Sequence, residues 1–276
     1  IAPYFISSMP FKPLYQFITD SLTKPTKMQI IFWLGLSLTF ATIYAIEGLQ
    51  KGFAAEYVVQ DDARQYVFWM QQFIEPDILP NDLIADYYRS VSPLGYVAIY
   101  KLMAWFHITP LLLSKLLPML LGWITTVYTF RVSMEILPLP ITGFISTLIL
   151  NQSLWFKDDL VSSTPRAFLY PIFTAFLYYL LKRSWIPCLV TIALQGLFYP
   201  LVVLVSICIL FLKMWQWEKG LPRLSQDRKY LLFCILALAI AFCSVLPSAL
   251  ASAKYGPTIA GSVAKTLPEF LPKGRS

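Results

Sequence analysis

The stretch MQIIFWLGLSLTFATIYAI, residues 28–46, contains no charged side chain, and the first charge after it is Glu47. Its length approaches the roughly 20 apolar residues that a helix needs to cross a hydrocarbon core of about 30 Å. Because Lys12, Lys24 and Lys27 precede it, the positive-inside tendency predicts that the chain enters this stretch from the cytoplasm. We therefore predict a first membrane span here, followed by an extracytoplasmic loop.

The composition of the whole chain is that of an integral membrane protein. The 276 residues are 57% hydrophobic and only 13% charged, whereas charged residues make up about a quarter of a soluble globular chain. The net charge of +7 comes from basic residues scattered between apolar segments, which membrane topology explains better than nucleic-acid binding does. We predict an all-α fold, a polytopic transmembrane helical bundle of about seven spans with juxtamembrane helices in the first outer loop.

Further apolar segments follow the first span. They are residues 110–130, residues 138–155, residues 167–181, two short helices within residues 185–217, and residues 230–246. The two short helices turn near Tyr199 and Pro200, and such a break survives only where protein shields the freed backbone groups or water lines a cavity. We therefore expect a cavity near this turn.

Residues 91–106 either cross the membrane or lie along its outer surface. If they crossed, Arg131 and every later basic cluster would face outside. If they lie in the outer interface, Arg131, the pair Lys182 and Arg183 and the later basic residues all fall on the cytoplasmic side. The positive-inside tendency favours this second topology.

This topology divides the chain into three parts. Residues 1–27 form a cytoplasmic or interfacial segment. Residues 28–250 form the transmembrane module, with outer loops at residues 48–109 and 156–166. Residues 251–276 form an outer segment that we expect to be truncated. Because the chain opens at Ile1 and has no cleavable signal pattern, we expect it to be part of a longer protein.

The first outer loop contains an unusual polar stretch, QDDARQYVFWMQQF, residues 60–73. Ionisable groups beside a membrane are costly, so the set of Asp61, Asp62, Arg64 and Tyr66 indicates a site. The alternative is that both aspartates only cap the helix that follows. Apolar residues recur at three- and four-residue spacing, which predicts a short helix that rests its apolar face on the bilayer. They are Tyr66, Trp69, Met70 and Phe73.

A second acidic pair lies in the second outer loop, in the stretch FKDDLVSSTPRAF, residues 156–168. Transfer of a group onto a hydroxyl needs a carboxylate near the acceptor proton, and often a cation or metal to hold a leaving phosphate. The candidate catalytic residues are Asp61, Asp62, Asp158 and Asp159. The pair Asp61 and Asp62 also suits a divalent metal ion. The alternative for Asp158 and Asp159 is a solvated loop that caps a helix.

Aromatic residues precede the turn SVSPLGY, residues 90–96. Tyr87, Tyr88 and Arg89 combine ring faces with a cation, which predicts the lining of a glycan pocket. The alternative is an interfacial aromatic belt.

The single histidine, His107, has no second histidine to share a metal, so we interpret it as structural. The cysteines lie inside apolar runs, which favours a role in packing. They are Cys188, Cys208, Cys234 and Cys243.

The order of these features over roughly residues 28–250 resembles the GT-C superfamily. The resemblance rests on the first span, the acidic opening DDARQY of the first loop, the SPLGY turn and the second loop KDDLVSSTPRAF. Members of this superfamily are multi-spanning glycosyltransferases that use polyprenyl-phosphate-linked sugars, among them protein mannosyltransferases and lipid A aminoarabinose transferases. The resemblance implies an enzyme of a bacterial inner membrane, with a glycan, lipid or protein as acceptor and no nucleic-acid partner.

The resemblance also assigns roles to individual residues. Asp61 or Asp62 takes the place of the catalytic base or metal contact in the first loop. The lipid phosphate falls to basic residues near the loops, and the candidates are Arg64, Arg89, Lys101 and Arg166. The aminoarabinose transferases carry a proline-proline-leucine turn preceded by lysine, whereas SPLGY has one proline preceded by Val91 and Ser92. The phosphate role of that lysine therefore does not carry over.

Two other classes remain open from the sequence. In a transporter or lipid flippase the same charges would line a translocation path. Transporters place ionisable groups within their spans, whereas here the carboxylates lie in loops and Lys115 alone lies within a predicted span. A non-catalytic membrane scaffold needs no site, and convergence of the two acidic loops on one pocket distinguishes an enzyme from it.

Overall fold

The computed structural model describes residues 25–60, 62–218, 221–224, 227–252 and 259–268. The predictions for residues 1–24 and for the Asp61 side chain lie outside this part of the chain. For Asp158 and Asp159 the backbone is described but the side chains are not.

The described residues are almost entirely helical. The longer helices are α1 (Lys27–Leu49), α3 (Leu83–Val91), α4 (Leu94–Trp105), α5 (Pro110–Ile136), α6 (Pro140–Trp155), α8 (Leu169–Leu181), α9 (Trp185–Phe198), α10 (Leu201–Met214) and α11 (Arg228–Ser252). Three helices of one turn are α2 (Ala63–Tyr66), α7 (Asp158–Val161) and α12 (Gly261–Ala264), and two 3-10 helices cover Phe68–Phe73 and Pro165–Phe168. An antiparallel hairpin of β1 (Trp215–Glu218) and β2 (Leu221–Leu224) follows α10.

Three of these helices are long and apolar enough to cross a membrane. They are α1, α5 and the part of α11 from Arg228 to Pro247. The helices α9 and α10 have 14 residues each and rise by about 21 Å, less than a hydrocarbon core of about 30 Å. The protein is therefore a helical membrane protein, with three spans by length and composition.

Capping residues and prolines in the local sequence determine where several helices begin or break. Thr26 caps α1 in a capping box, in which Gln29 N donates to Thr26 Oγ1 and Thr26 N donates to Gln29 Oε1. Pro110 starts α5, because proline lacks the N–H that the first turn leaves unpaired. Between α9 and α10, Tyr199 leaves the helical conformation just before Pro200. This is the break that the sequence predicts.

Small residues bring α1 and α6 close together. Every fourth residue along one face of each helix is small and buried: Ser37, Ala41 and Ala45 on α1, and Gly143, Thr147 and Asn151 on α6. Close backbone approach drives helix association in a bilayer, where lipid and protein are equally apolar. Thr147 Oγ1 donates to Ser37 Oγ at 2.9 Å, and Asn151 Nδ2 donates to Thr126 Oγ1 of α5 at 2.9 Å. These hydrogen bonds connect α1, α5 and α6.

The buried apolar side chains form two cores. One core fills the end of the bundle where the segments that carry both acidic pairs meet α5. We call this end of the bundle the acidic end. The core there includes Leu49, Ala63, Tyr96, Leu113, Leu117, Leu160, Val161, Phe168 and Phe198. The other lies between α8, α9, α10 and α11. Cys188 and Cys234 are buried in this second core, as the packing prediction requires, whereas Cys208 and Cys243 are exposed on helix surfaces.

The helix α4 lies along the acidic end and does not cross the bundle. Its 12 residues span about 18 Å. At its start, Gly95 packs so closely on Phe198 that a Cβ would come within 2.9 Å of that ring. At its end the chain turns directly into Pro110. Both ends of α4 therefore lie at the acidic end, and the interfacial position of residues 91–106 stays a prediction.

One prediction needs correction, and one element was not predicted. The residues after Asp62 form α2 and a 3-10 helix, and Trp69 and Met70 are 1% and 0% exposed. Their apolar side chains fill the core at the acidic end, so this face does not rest on the bilayer as predicted. The hairpin after α10 was also not foreseen, because its two strands of four residues are too short to show a clear alternation.

We expect replacement of Gly143 by alanine to destabilise the bundle. A Cβ at Gly143 would lie 2.7 Å from the ring of Phe130, and overpacking of this kind costs about 1–3 kcal/mol. Thermal unfolding of purified protein in detergent measures the loss. Gly35→Ala is the matched control, because no atom lies within 4 Å of the position of its Cβ. Equal melting temperatures for both variants would contradict this packing.

Candidate functional site

The segments that carry the two acidic pairs come together at the acidic end. Ala63, which follows Asp62, and Val161, which lies two residues after Asp159, line the same small cavity together with Leu49 and Lys115. Its volume of about 10 Å³ is close to the space that one water molecule needs. The two loops therefore pack against each other, and convergence of their carboxylates stays a prediction.

The second outer loop is fixed to α5 and α4 by its backbone and its hydroxyl groups. Ser162, Ser163 and Thr164 are all buried. Ser163 Oγ donates to the carbonyl oxygen of Ser114 at 2.9 Å, and Tyr100 Oη donates to the carbonyl oxygen of Ser163 at 3.4 Å. These bonds hold the segment that follows Asp158 and Asp159 against the first turns of α5.

The first outer loop is fixed to the same turns by Lys115. This side chain is 8% exposed, and its Nζ donates to the carbonyl oxygens of Ala55 at 2.9 Å and Glu56 at 2.7 Å. The ring of Phe53 lies 5.8 Å from the same ammonium. Because a buried cation is costly without partners, these contacts hold the loop residues just before Asp61 and Asp62.

Asp62 directly precedes α2 and Tyr66 is the last residue of this helix. Asp62 is the residue before the helix, but its side chain makes no capping hydrogen bond, so the capping alternative does not apply to it. Burial raises the pKa of the Tyr66 phenol above its ordinary value, and the neighbouring Tyr88 and Asp62 raise it further. Tyr66 therefore keeps its proton at neutral pH and is a hydrogen-bond donor beside the Asp62 carboxylate.

The tyrosines of α3 pack around this pair. The ring of Tyr88 lies edge-on to that of Tyr66, with 5.4 Å between the centroids, and the same distance separates Tyr87 from Tyr88. Tyr88 Oη donates to Gln65 Oε1 at 3.0 Å. Tyr66, Tyr87 and Tyr88 therefore form one aromatic cluster with Asp62 at its edge. Tyr96 of the SPLGY turn is fully buried and so does not line the predicted glycan pocket.

Arg89 is occupied by contacts within the loop. Its guanidinium pairs with Asp86 at 3.3 Å, donates to Gln72 Oε1 and lies 5.7 Å from the ring centroid of Trp69. These partners hold α3 on the 3-10 helix of the first loop. Arg89 therefore has a structural role, which makes it the weakest of the four phosphate candidates.

The other predicted cations lie in different places. Arg64 lines an open cavity of about 650 Å³, and Lys101 lines a separate one of about 750 Å³ together with His107 and Trp105. Arg166 is exposed and lies two residues before the buried Phe168. His107 is exposed, and its φ of 63° ends α4, so its structural role lies in the backbone.

An apolar groove of about 630 Å³ opens between α4, α5, α8 and α9. At the acidic end Ile99, Phe168 and Phe198 line it, and at the opposite end Tyr128 and Tyr179 do. Tyr128 Oη and Tyr179 Oη share a hydrogen bond of 2.9 Å. The groove therefore runs along α5, α8 and α9 from the acidic end toward the opposite end of the bundle.

The described residues contain no group of three or more histidine, cysteine or acidic side chains that could hold a metal ion. Asp61 lies outside these residues, and the side chains of Asp158 and Asp159 are not described. A divalent ion on Asp61 and Asp62 stays a prediction.

Comparison of the chain with protein-family models, curated proteins and solved structures gave no match. The GT-C resemblance therefore enters below as part of a proposal.

Sequence reasoning gave Lys115 no part in the site. The sequence does contain one indication of a role, because a charged side chain five residues after the start of an apolar helix is costly without partners. These partners, Ala55 and Glu56, lie about 60 positions earlier in the chain. Nothing in the local sequence identifies backbone carbonyls as partners, because every residue offers one.

We expect Lys115→Met to release the first outer loop. The change leaves the carbonyls of Ala55 and Glu56 without their donor, which costs about 1–3 kcal/mol for buried groups. Limited proteolysis of membranes should then cleave the chain near residues 50–60 faster than in the wild type. Lys51→Met is the control, because Lys51 is exposed in the same loop. Identical cleavage rates for the two variants would contradict this role.

Proposed function

We propose that the protein is a membrane glycosyltransferase of the GT-C type, with about seven spans, in a bacterial inner membrane. It moves a sugar from a polyprenyl-phosphate donor to an acceptor hydroxyl at the extracytoplasmic face. The acidic end is the extracytoplasmic end of the bundle. The observation that carries the proposal is the packing of two loops, each with an aspartate pair, against one another and against α5.

The orientation is supported by the charges at the opposite end. Lys182 Nζ pairs with Glu135 at 2.8 Å, and the guanidinium of Arg131 lies 5.6 Å from the ring centroid of Tyr178. The C-terminal ends of α5 and α8 therefore meet where basic residues gather, the arrangement expected at the cytoplasmic surface. The loops with the aspartate pairs then face outside.

A lipid-linked donor is supported by the apolar groove. Its volume of about 630 Å³ lies in the usual range for ligand sites, about 300–1,000 Å³, and an apolar lining suits a prenyl chain. The groove reaches Phe168 at the acidic end, two residues from the exposed Arg166. A chain in the groove would bring its phosphate to Arg166, which pairs well with phosphate. Arg166 is therefore the strongest of the four phosphate candidates.

The chemistry is a displacement at the anomeric carbon. The acceptor oxygen forms a bond to this carbon while the bond from the carbon to the phosphate oxygen breaks, and the electron pair leaves with the polyprenyl phosphate. Asp61 or Asp62 takes the acceptor proton as general base, and this step inverts the anomeric centre. Asp158 and Asp159 position the acceptor or a metal ion, and the Tyr66 phenol donates to a sugar or acceptor oxygen.

The transporter alternative gains no support from the charge inside the spans. Lys115 is the charge that lies within a predicted span, and its ammonium holds the first outer loop through the carbonyl oxygens of Ala55 and Glu56. We therefore prefer an enzyme to a transporter.

We expect the double change Asp61→Asn and Asp62→Asn to abolish transfer and to leave membrane insertion intact. Removal of a general base costs about 100-fold or more in rate. The assay follows release of polyprenyl phosphate from a panel of radiolabelled lipid-linked sugars in membranes that contain native acceptors. Asp77→Asn is the control, since Asp77 is an exposed acid of the same loop.

Two outcomes would contradict the proposal. Undiminished release of polyprenyl phosphate by the double variant would reject the roles of Asp61 and Asp62. Lack of release by the wild type with every donor of the panel would reject the enzyme itself.

A further inference from the structure

The cavity of about 650 Å³ beside α2 has a lining unlike that of the apolar groove. Its lining combines apolar residues with charged ones. The apolar residues are Val59, Val67, Phe68, Ile78, Leu79 and Leu111, and the charged ones are Glu56, Arg64 and Glu75. A lining of this mixed kind matches an amphiphile better than a fully soluble molecule.

The charges on this lining are available to a ligand. Among the residues that the structure describes, neither Arg64, Glu56 nor Glu75 forms an ion pair. Glu75 Oε1 accepts a hydrogen bond from Gln71 Nε2 at 3.2 Å, which orients its carboxylate. The backbone of Glu56 is held by Lys115 at 2.7 Å. Two carboxylates, of which that of Glu75 is oriented by Gln71, and one guanidinium leave this lining with a net charge of −1.

The cavity also lies at the height where a lipid headgroup would lie. Pro110 and Leu111, the first residues of the membrane-spanning α5, form part of its wall. Tyr57 and Thr109 add polar groups at the same level. Headgroup charges can therefore meet the carboxylates and the guanidinium, while the start of an acyl chain meets the apolar residues of the lining.

We propose that this cavity binds the headgroup of an amine-bearing zwitterionic phospholipid. The ammonium donates to Glu56 and Glu75, and the phosphate accepts from Arg64. This binding does not depend on the transfer reaction. It assigns Arg64 to a bilayer lipid and leaves the phosphate of the sugar donor to Arg166.

Native mass spectrometry of the full chain in detergent tests the proposal. The purified protein is titrated with phosphatidylethanolamine and with phosphatidylglycerol of the same acyl chains. We expect phosphatidylethanolamine to bind about tenfold more tightly, which corresponds to about 1.4 kcal/mol. The double variant Glu56→Gln and Glu75→Gln should lose this preference, and Asp77→Asn, two residues from Glu75 but outside the cavity lining, should keep it.

A second variant reverses one of these charges. Glu75→Lys should invert the preference, so that phosphatidylglycerol binds more tightly, whereas a damaged fold would weaken both lipids alike. Phosphoethanolamine without acyl chains should compete weakly. Full competition by phosphoethanolamine would assign the cavity to a soluble amine and overturn the lipid. Equal binding of both phospholipids by the wild type, or an unchanged preference in the double glutamine variant, would also overturn the proposal.

Discussion

The ammonium group of Lys115 is the constraint on which the acidic end depends. A buried cation needs partners, and the carbonyl oxygens of Ala55 and Glu56 supply them. This contact holds the first outer loop on the first turns of α5. Ser163 binds the carbonyl oxygen of the neighbouring Ser114, so the second outer loop is held on the same turns. Adjacent residues of one helix thus fix both loops that carry aspartate pairs.

Two different cavities open at the acidic end. One is the apolar groove, which reaches Phe168; the other is the mixed cavity with Arg64, Glu56 and Glu75. Asp62 and the Tyr66 phenol lie at α2, beside the tyrosines of α3. A lipid carrier in the groove and a headgroup in the cavity are compatible with each other, because the two linings share no charged residue.

The bundle beneath the acidic end is held by small residues and hydroxyl groups. Thr147 of α6 donates to Ser37 of α1, Asn151 of α6 donates to Thr126 of α5, and glycine at position 143 admits the ring of Phe130. Such contacts replace the hydrophobic effect, which gives no preference for protein over lipid inside a membrane. The helices α1, α5 and α6 therefore support the loops at the acidic end.

Much of the fold follows from local sequence. The charge-free stretch at residues 28–46, Pro110 at the start of α5 and the break at Tyr199 and Pro200 all lie where the sequence predicts them, because hydrophobicity and proline geometry act over a few residues. The candidate site is less local. The pairs of aspartates stand out from the apolar sequence. The structural role of Arg89, however, depends on its contacts with Gln72 and Trp69, and no residue of its own helix indicates these contacts.

By itself, the sequence determined that this chain enters a membrane as helices, where several of those helices begin or break, and which polar residues are unusual enough to examine. Only the tertiary structure decided which loops meet, that Trp69 and Met70 face the core, and which cations bind within the protein and which line cavities. The physical reason is distance along the chain: hydrophobicity and helix geometry are set by neighbours. Contacts such as that of Lys115 with Ala55 join residues 60 positions apart and form only when the spans have packed.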